Sequence, residues 1–251
     1  MAVPKAIILM SDYGHDPTET AVPYMAMKEA GFDVQFATEI GKQPECDKLM
    51  LKGLTQKLLG ATRSVIEKYH EMFKSAEIQE PLSWSAPDFT LDSFDLVLFP
   101  GGHDKGVRQV IDSPRVHQLV LDYFPKTKKP SRKAVAAICH GVMALSESQD
   151  ASGVSAISQC TTTTLPAGME QTIFWGTWAF LGDYYKTYGA WSENTATSVQ
   201  KALADPKQLK TSMFSTPFVI EDENHNYISA RYPGDAELFG QKIVALVRSL
   251  Q

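Results

Sequence analysis

The residues best placed to do chemistry in this chain lie at the ends of two apolar runs. Ala136-Ala137-Ile138-Cys139-His140-Gly141 reads as a buried strand that ends in a thiol and turns through glycine into a helix. In an open α/β sheet such a turn sits at the carboxyl edge of the strands, where these folds bind ligands. A nucleophile on a sharp strand-to-helix turn has a backbone N–H behind it that can stabilise an oxyanion. The helix N-terminus beside the sulfur favours the thiolate, its reactive form. On the turn alone a second reading stays open, since a small buried hydrophobe is the commonest fate of a free cysteine. The other run, Phe94-Asp95-Leu96-Val97-Leu98-Phe99, ends at Pro100-Gly101-Gly102-His103. Glycine there lets backbone N–H groups approach a ligand oxygen, so Gly102 is a candidate second oxyanion donor beside His140. Gly101, His103 and Gly141 fall at the same turns and join it as candidate substrate-binding residues. The spacing is not the G-x-G-x-x-G of a dinucleotide site, and there is no phosphate-binding Walker loop.

Strands and helices must bring these turns together. Residues 6–10 form a short apolar run without alternation, the pattern of a strand buried on both faces of a parallel sheet. The apolar spacing predicts a helix over Thr20–Ala30, stopped by Gly31, and a strand over 32–37, which together make a βαβ unit. Between Pro44 and Pro87 the leucines at 49, 51, 54, 58 and 59, then Val65, Ile66, Tyr69, Met72 and Phe73, predict two amphipathic helices outside the strand rhythm, a candidate cap or lid. The rhythm resumes with strands at 94–99 and 134–138 and a helix near Arg115–Tyr123. An aromatic segment from Phe174 to Trp191 comes next; rings at near-helical spacing are expected mainly in the core, some of them walling the pocket. Strands near 217–220 and 227–230, a turn at 233–235 and a helix over Ala236–Leu250 end the chain. With no repeat or low-complexity tract, the economical reading is one α/β domain over 1–251 with a helical insertion at about 44–87.

The 251 residues are 43% hydrophobic, 21% charged and 10% aromatic, which excludes a disordered chain. The net charge of −5, from 24 basic and 29 acidic residues, gives no warrant for binding nucleic acid or an anionic membrane. A small neutral or anionic molecule is the expected partner. The three cysteines, Cys46, Cys139 and Cys160, cannot all pair and make no C-x-x-C motif, which points to a reducing compartment. The N-terminal apolar run is too short for a signal peptide or a membrane span, so a cytoplasmic protein is expected. Cys46 and Cys160 have no elbow context and read as inert; His70, His117 and His225 read as surface residues.

Three stretches, Glu19-Thr20-Ala21-Val22-Pro23-Tyr24, Glu29-Ala30-Gly31-Phe32-Asp33-Val34 and Thr38-Glu39-Ile40-Gly41-Lys42, precede the two glycine turns. In this order they resemble the ThiJ/PfpI superfamily, which contains the parkinsonism-associated deglycase, PfpI-type peptidases and heat-shock chaperone/glyoxalase III proteins. The resemblance implies a flavodoxin-like three-layer sandwich: a mostly parallel sheet, helices on both faces and a small helical cap. It makes Cys139 the nucleophile, His140 its acid/base and Glu19 a carboxyl contacting the sulfur, protonated because two adjacent anions would repel. Taken alone, Glu19 would be a first-turn acid favoured by the helix dipole. The chaperone/glyoxalase branch adds an acid about thirty residues after the elbow to fix the imidazole, which Glu170 matches by spacing, with Asp183 a poorer substitute. The Thr-rich, Pro-containing sequence before Glu170 departs from that branch and leaves a solvated helix-start acid as the other reading.

Arg231, in Ala230-Arg231-Tyr232-Pro233-Gly234-Asp235-Ala236, stands where the superfamily usually has an Asn-Pro turn; a substrate carboxylate and a structural ion pair are both open as its partner. His15, after the first strand, is a further candidate for the pocket. The activity implied is that of glyoxalase III, conversion of methylglyoxal to lactate without cofactor or metal, by a homodimer. Isonitrile hydration or amide hydrolysis on the same thiol is the alternative within enzymes. A stress holdase or redox sensor, with Cys139 oxidised to sulfinic acid, is the alternative outside them. A class I amidotransferase shares the elbow but would need a synthetase partner domain, for which this sequence has no segment.

Overall fold

Strand β1 (Lys5–Leu9) carries the logic of the fold in its side chains. Ala6 and Ile8 face one apolar cluster while Ile7 and Leu9 face another, so the strand is buried on both sides, as parallel-sheet strands are. In the computed structural model, which describes residues 3–251, two short strands, β2 (Tyr13–His15) and β4 (Glu45–Cys46), pair apart from the main sheet. The main sheet contains β1, β3 (Asp33–Thr38), β5 (Leu82–Ser83), β6 (Leu96–Phe99), β7 (Ala134–Ile138), β8 (Val219–Glu221) and β9 (Tyr227–Ala230). Their spatial order is β5-β3-β1-β6-β7-β9-β8, every pair parallel except β8 with β9.

Helices cover both faces, which makes the three-layer α/β sandwich expected from the sequence. On one face lie α1 (Pro17–Glu29), α4 (Arg63–Phe73) and α11 (Ala236–Ser249), contributing Tyr24, Met27, Tyr69, Met72, Phe239 and Ile243 to the core. On the other lie α6 (Arg108–Ile111), α7 (Pro114–Tyr123), α8 (Gly141–Ser146) and α10 (Thr195–Lys201), with Val110, Val116, Val120, Val142 and Val199 inward. Helix α1 begins three residues before the expected Thr20: Asp16 caps it, accepting from Thr18 N–H at 2.7 Å and Glu19 N–H at 3.1 Å, and Pro17 suits a first helical position.

The insertion at about 44–87 divides in two. Helix α4 is the crossover that returns the chain from β3 to β5 and belongs to the outer layer, with its Val65 packed on Val22 of α1, so the cap reading does not extend to it. The short helices α2 (Lys48–Leu51) and α3 (Gly53–Leu59) form the small cap, and Met50 of α2 packs on Phe174 and Tyr185. Leu54 and Leu58 of α3 are exposed rather than inward. A short α5 (Ala76–Gln79) precedes β5.

The aromatic segment also departs from expectation. In α9 (Ala167–Leu181) one stripe, Glu170, Phe174 and Thr177, is buried. Trp175 and Phe180 are 55% and 57% exposed, and Trp191 beyond the helix is 85% exposed. The helix is apolar nearly all round but has only one side to bury, because it lies outside the two main layers. Among the described residues no helix is long and apolar enough to cross a membrane.

Candidate active site

Because Ile8 pairs with Leu98 and Phe99 with Ala137, the segments leaving β1, β6 and β7 emerge together at the carboxyl edge. Cys139 comes directly after β7 with φ +56°, alone among the described non-glycine residues in the left-handed region. A side chain there costs roughly 1–3 kcal/mol and persists only where its surroundings over-determine it. They do: Cys139 N–H donates to Ala230 O at 3.0 Å, and Thr164 Oγ1 donates to Cys139 O at 2.7 Å. Gly141 lies so close to β6 that a Cβ would fall 2.2 Å from Phe99 O.

Glu19, in the first turn of α1, is fully buried against this elbow. Its Oε2 accepts from Gly101 N–H at 3.0 Å, while Oε1 has no nitrogen or oxygen partner. Burial, then the charge of Asp16, pushes the Glu19 carboxyl well above its ordinary range, which favours the neutral acid. Asp16 is itself pushed up to about 6 by burial. A protonated Glu19 has a hydroxyl to offer the adjacent sulfur. Gly101 is wedged between the two: a Cβ there would stand 2.6 Å from Glu19 Oε2 and 2.8 Å from Cys139 Cβ. The Cys139 thiol is also fully buried, and burial, then Glu19, pushes its pKa upward.

His140 connects the sulfur to a cavity. Its Nδ1 is 3.4 Å from Cys139 Sγ and its Nε2 is 2.9 Å from Thr195 Oγ1. Burial and the nearby Lys186 ammonium lower its pKa to about 3, so the ring is neutral. In the tautomer that leaves Nδ1 free to accept from the thiol, Nε2–H donates to Thr195 Oγ1. A cavity of about 280 Å³ is bounded by His140, Met143, Glu147, Tyr188 and Thr195. Cys139 does not line it; the sulfur lies behind the imidazole. Neither Gly102 N–H nor His140 N–H donates to a protein oxygen among the described residues. A Cβ on Gly102 would meet Gly14 O at 2.5 Å, which accounts for glycine at that turn.

The ThiJ/PfpI family-like profile matches residues 10–224, a span that includes Glu19, both glycine turns and Thr195. The chain belongs to the ThiJ/PfpI-like family. An uncharacterized protein of Schizosaccharomyces pombe is 30% identical over 246 residues, covering 98% of this chain and 84% of that protein. Glyoxalase III of Candida albicans shares the fold with a TM-score of 0.67 at 14% identity, over 97% of each chain. The Rapid Encystment Protein of Francisella tularensis does so at 0.65 and 19% identity, over 99% of this chain and 100% of the other. For Drosophila melanogaster DJ-1beta the values are 0.51 and 16%, over 99% and 96%.

Two candidates sit differently from expectation within this ThiJ/PfpI fold, and a third takes one of its two open readings. Glu170 does not touch the imidazole, whose partner is Thr195. Its Oε1 accepts from Lys186 Nζ at 2.8 Å and its Oε2 from Thr195 N–H at 2.8 Å, with both charged side chains 2% exposed. It is neither solvated nor the direct ring partner; it positions the residue that is. His15 is buried but turned away from the cavity. Its Nδ1 bonds Gly101 O at 3.2 Å and its Nε2 accepts from Ser11 N–H at 2.8 Å, so both ring nitrogens are used in fixing Gly101. Arg231 resolves to the structural reading. It gives Asp235 two bonds at 2.9 and 2.7 Å and reaches the carbonyls of Ser212, Phe214 and Thr216 at 2.6, 3.0 and 2.8 Å, leaving no donor for a substrate.

His103 stands edge-on to His140 and to Tyr185, ring centroids 5.2 and 4.7 Å apart, and burial lowers its pKa to about 3. The residues that sequence reasoning missed are Thr195 and Lys186. Lys186 left a signal, being the one Lys or Arg between Lys133 and Lys201, set in an apolar stretch with an acid upstream. Thr195 left only its place at the start of α10.

Proposed function

We propose that this ThiJ/PfpI-like chain is a cofactor-independent enzyme of small reactive carbonyls that converts a 2-oxoaldehyde such as methylglyoxal to the 2-hydroxy acid, here lactate. The observation that carries the reading is the neutral imidazole of His140, with Nδ1 3.4 Å from Cys139 Sγ. A thiol whose pKa is raised needs a general base at the moment of attack, and this ring nitrogen stands where one would.

In the first step Sγ bonds the aldehyde carbon, and the thiol proton passes through His140 Nδ1 to the carbonyl oxygen, giving a hemithioacetal. His140 then removes the proton from that carbon and returns it to the neighbouring one through an enediol, leaving a 2-hydroxy thioester. Water cleaves the thioester, releasing the acid and regenerating the thiol; no electrons leave or enter the system. Gly102 and His140 N–H groups would hold the oxyanion, and neutral Glu19 would hydrogen-bond the sulfur when it leaves as thiolate. Because Cys139 is buried and outside the cavity wall, attack on the substrate needs the His140 side of the cavity to open toward the sulfur.

The cavity wall supports a neutral substrate rather than an anionic one. Asp112, Glu147, Glu170 and Glu193 line it with no Lys or Arg among the lining residues, an arrangement that would admit an uncharged oxoaldehyde and repel the carboxylate product. The homodimer implied by the family resemblance belongs to the same reading and is checked by sedimentation equilibrium. The decisive experiment is incubation with methylglyoxal in buffer free of glutathione. Lactate formation that disappears in Cys139→Ala is expected; wild-type protein yielding no more lactate than that variant would overturn the reading.

A further inference from the structure

Away from the elbow, three side chains from two loops converge. Cys160, in the loop after α8, meets Asp222 and His225 of the turn joining β8 to β9, and one ligand atom from each lies within 4.8 Å of the others. His225 Nδ1 is 3.6 Å from Cys160 Sγ and 3.4 Å from Asp222 Oδ2. A tetrahedral zinc-class ion, with bonds of about 2.0 Å to nitrogen and oxygen and 2.3 Å to sulfur, would space its donors roughly 3.3–3.6 Å apart. Both distances to His225 Nδ1 fall within that range, and all three donor atoms lie within 4.8 Å of one another. A single site on Nδ1 serves the sulfur and the carboxylate together only through a long bifurcated bond, whereas a cation between them serves all three.

The surroundings hold the donors as a metal centre's outer shell does. Asp222 Oδ1 accepts from Thr161 N–H at 2.8 Å, and Oδ2 from Asn224 N–H at 2.9 Å and His225 N–H at 2.7 Å. These three bonds fix the carboxylate: Oδ2 is filled by two of them, and Oδ1, which accepts only one, keeps a lone-pair site for a metal. The His225 ring lies over Phe124, centroids 5.2 Å apart, and Cys160 O accepts from Gln208 Nε2 at 3.1 Å. Lys129 Nζ donates to Asp222 O at 2.8 Å, a positive charge beside a donor set that carries two negative ones when the thiol is deprotonated. Sulfur and imidazole together select zinc-class ions over magnesium or calcium.

The cluster is remote from the elbow. Cys139 N–H bonds Ala230 at the carboxyl end of β9, while His225 precedes Tyr227 at its amino end, roughly 15 Å away at strand rise. We propose that Cys160, Asp222 and His225 bind a zinc-class divalent metal ion, with water as a further ligand, that clips the loop after α8 to the β8–β9 turn. Binding exchanges the Cys160 thiol proton for the metal. The site is independent of the reaction proposed above.

Cobalt(II) is the probe, added to chelator-dialysed full-length Cys139→Ala protein so that the elbow thiol cannot contribute. One ion per chain is expected, with thiolate-to-cobalt charge-transfer bands that zinc abolishes by displacement. Cys160→Ser should lose those bands, and His225→Ala should bind cobalt at least about tenfold more weakly. Absence of the bands, or their survival in Cys160→Ser, would overturn the site. If Cys160→Ser does not fold, His225→Ala decides, its ring being partly exposed: an unchanged cobalt affinity overturns the proposal and a tenfold loss upholds it.

Discussion

Two buried cysteines sit beside histidines at opposite ends of the same strands, with nearly the same sulfur-to-nitrogen distance, 3.4 Å at Cys139 and 3.6 Å at Cys160. Proximity of thiol and imidazole therefore says little about what either pair can do. The third group and the backbone differ. At Cys139 the chain is held in a strained turn, and the adjacent acid, Glu19, is kept neutral by burial with one oxygen unpaired. That arrangement suits the movement of protons. At Cys160 the adjacent acid is fixed by three backbone N–H groups, and the lone pair left on its Oδ1 stands with the thiol sulfur and the imidazole nitrogen, a donor set that suits a cation.

The contrast can be broken most directly at the sulfurs. Cys139→Ser is expected to lower lactate formation by at least about a thousandfold, as loss of a nucleophile does, while Cys160→Ser stays within about twofold of wild type. Equal losses in steady-state kinetics would erase the distinction. Next in size, the lysines near the two sites should differ. Lys186→Met leaves Glu170 as an unpaired buried charge and should cost about 3–5 kcal/mol in denaturant unfolding. Lys129→Ala, which removes one bond to a backbone carbonyl, should cost about 1 kcal/mol.

A smaller effect isolates the imidazole. Thr195→Val removes the hydrogen-bond partner of Nε2 without touching the sulfur, and kcat should fall about tenfold, or ~1.4 kcal/mol of barrier, with KM little changed. A change confined to KM would mean that Thr195 contacts substrate instead of holding the ring.

The last contrast lies in the pH dependence of stability. His103 has a pKa lowered to about 3 from an ordinary 6.5, so between those values the unfolded chain binds a proton that the folded one does not. Its contribution therefore weakens as pH falls below 6.5. Asp16 and Glu19, both raised, act oppositely: their folded forms keep protons the unfolded chain releases, so they cost stability as pH rises from about 4 toward their folded values. His103→Leu separates the two, and calorimetry at pH 5 should find about one proton fewer taken up on unfolding than in wild type. No difference would mean that the ring is already charged in the fold.

Much of this edge was legible in the sequence because it depends on local rules. The apolar run 134–138 could only be a doubly buried strand, and a residue set between that strand and Gly141 must stand at the carboxyl edge. Gly101 and Gly102 are glycines because a Cβ at either would collide with Glu19 or Gly14. Arg231 was legible as an anomaly but not in its role: its partners are carbonyls of 212–216, a loop whose path no periodicity encodes. Glu170 was found by spacing and misplaced by one link, since it grips the N–H of Thr195 rather than the ring. Cys160 and His225 gave no signal, lying 65 residues apart in loops joined only when β9 enters the sheet.

The α/β layering, the two glycine turns and the identity of the thiol at the elbow are properties of the sequence alone. Each arises from contacts within a few residues, through side-chain periodicity and the conformational freedom of glycine. Folding in three dimensions was needed to settle which groups surround the two sulfurs, that burial raises the pKa of Glu19, that Thr195 rather than Glu170 faces His140, and that a second cysteine meets a histidine and an aspartate. Those outcomes depend on burial and on distances between segments remote in the chain. Desolvation shifts a proton equilibrium, and lone pairs meet, only after the sheet has brought its strands together.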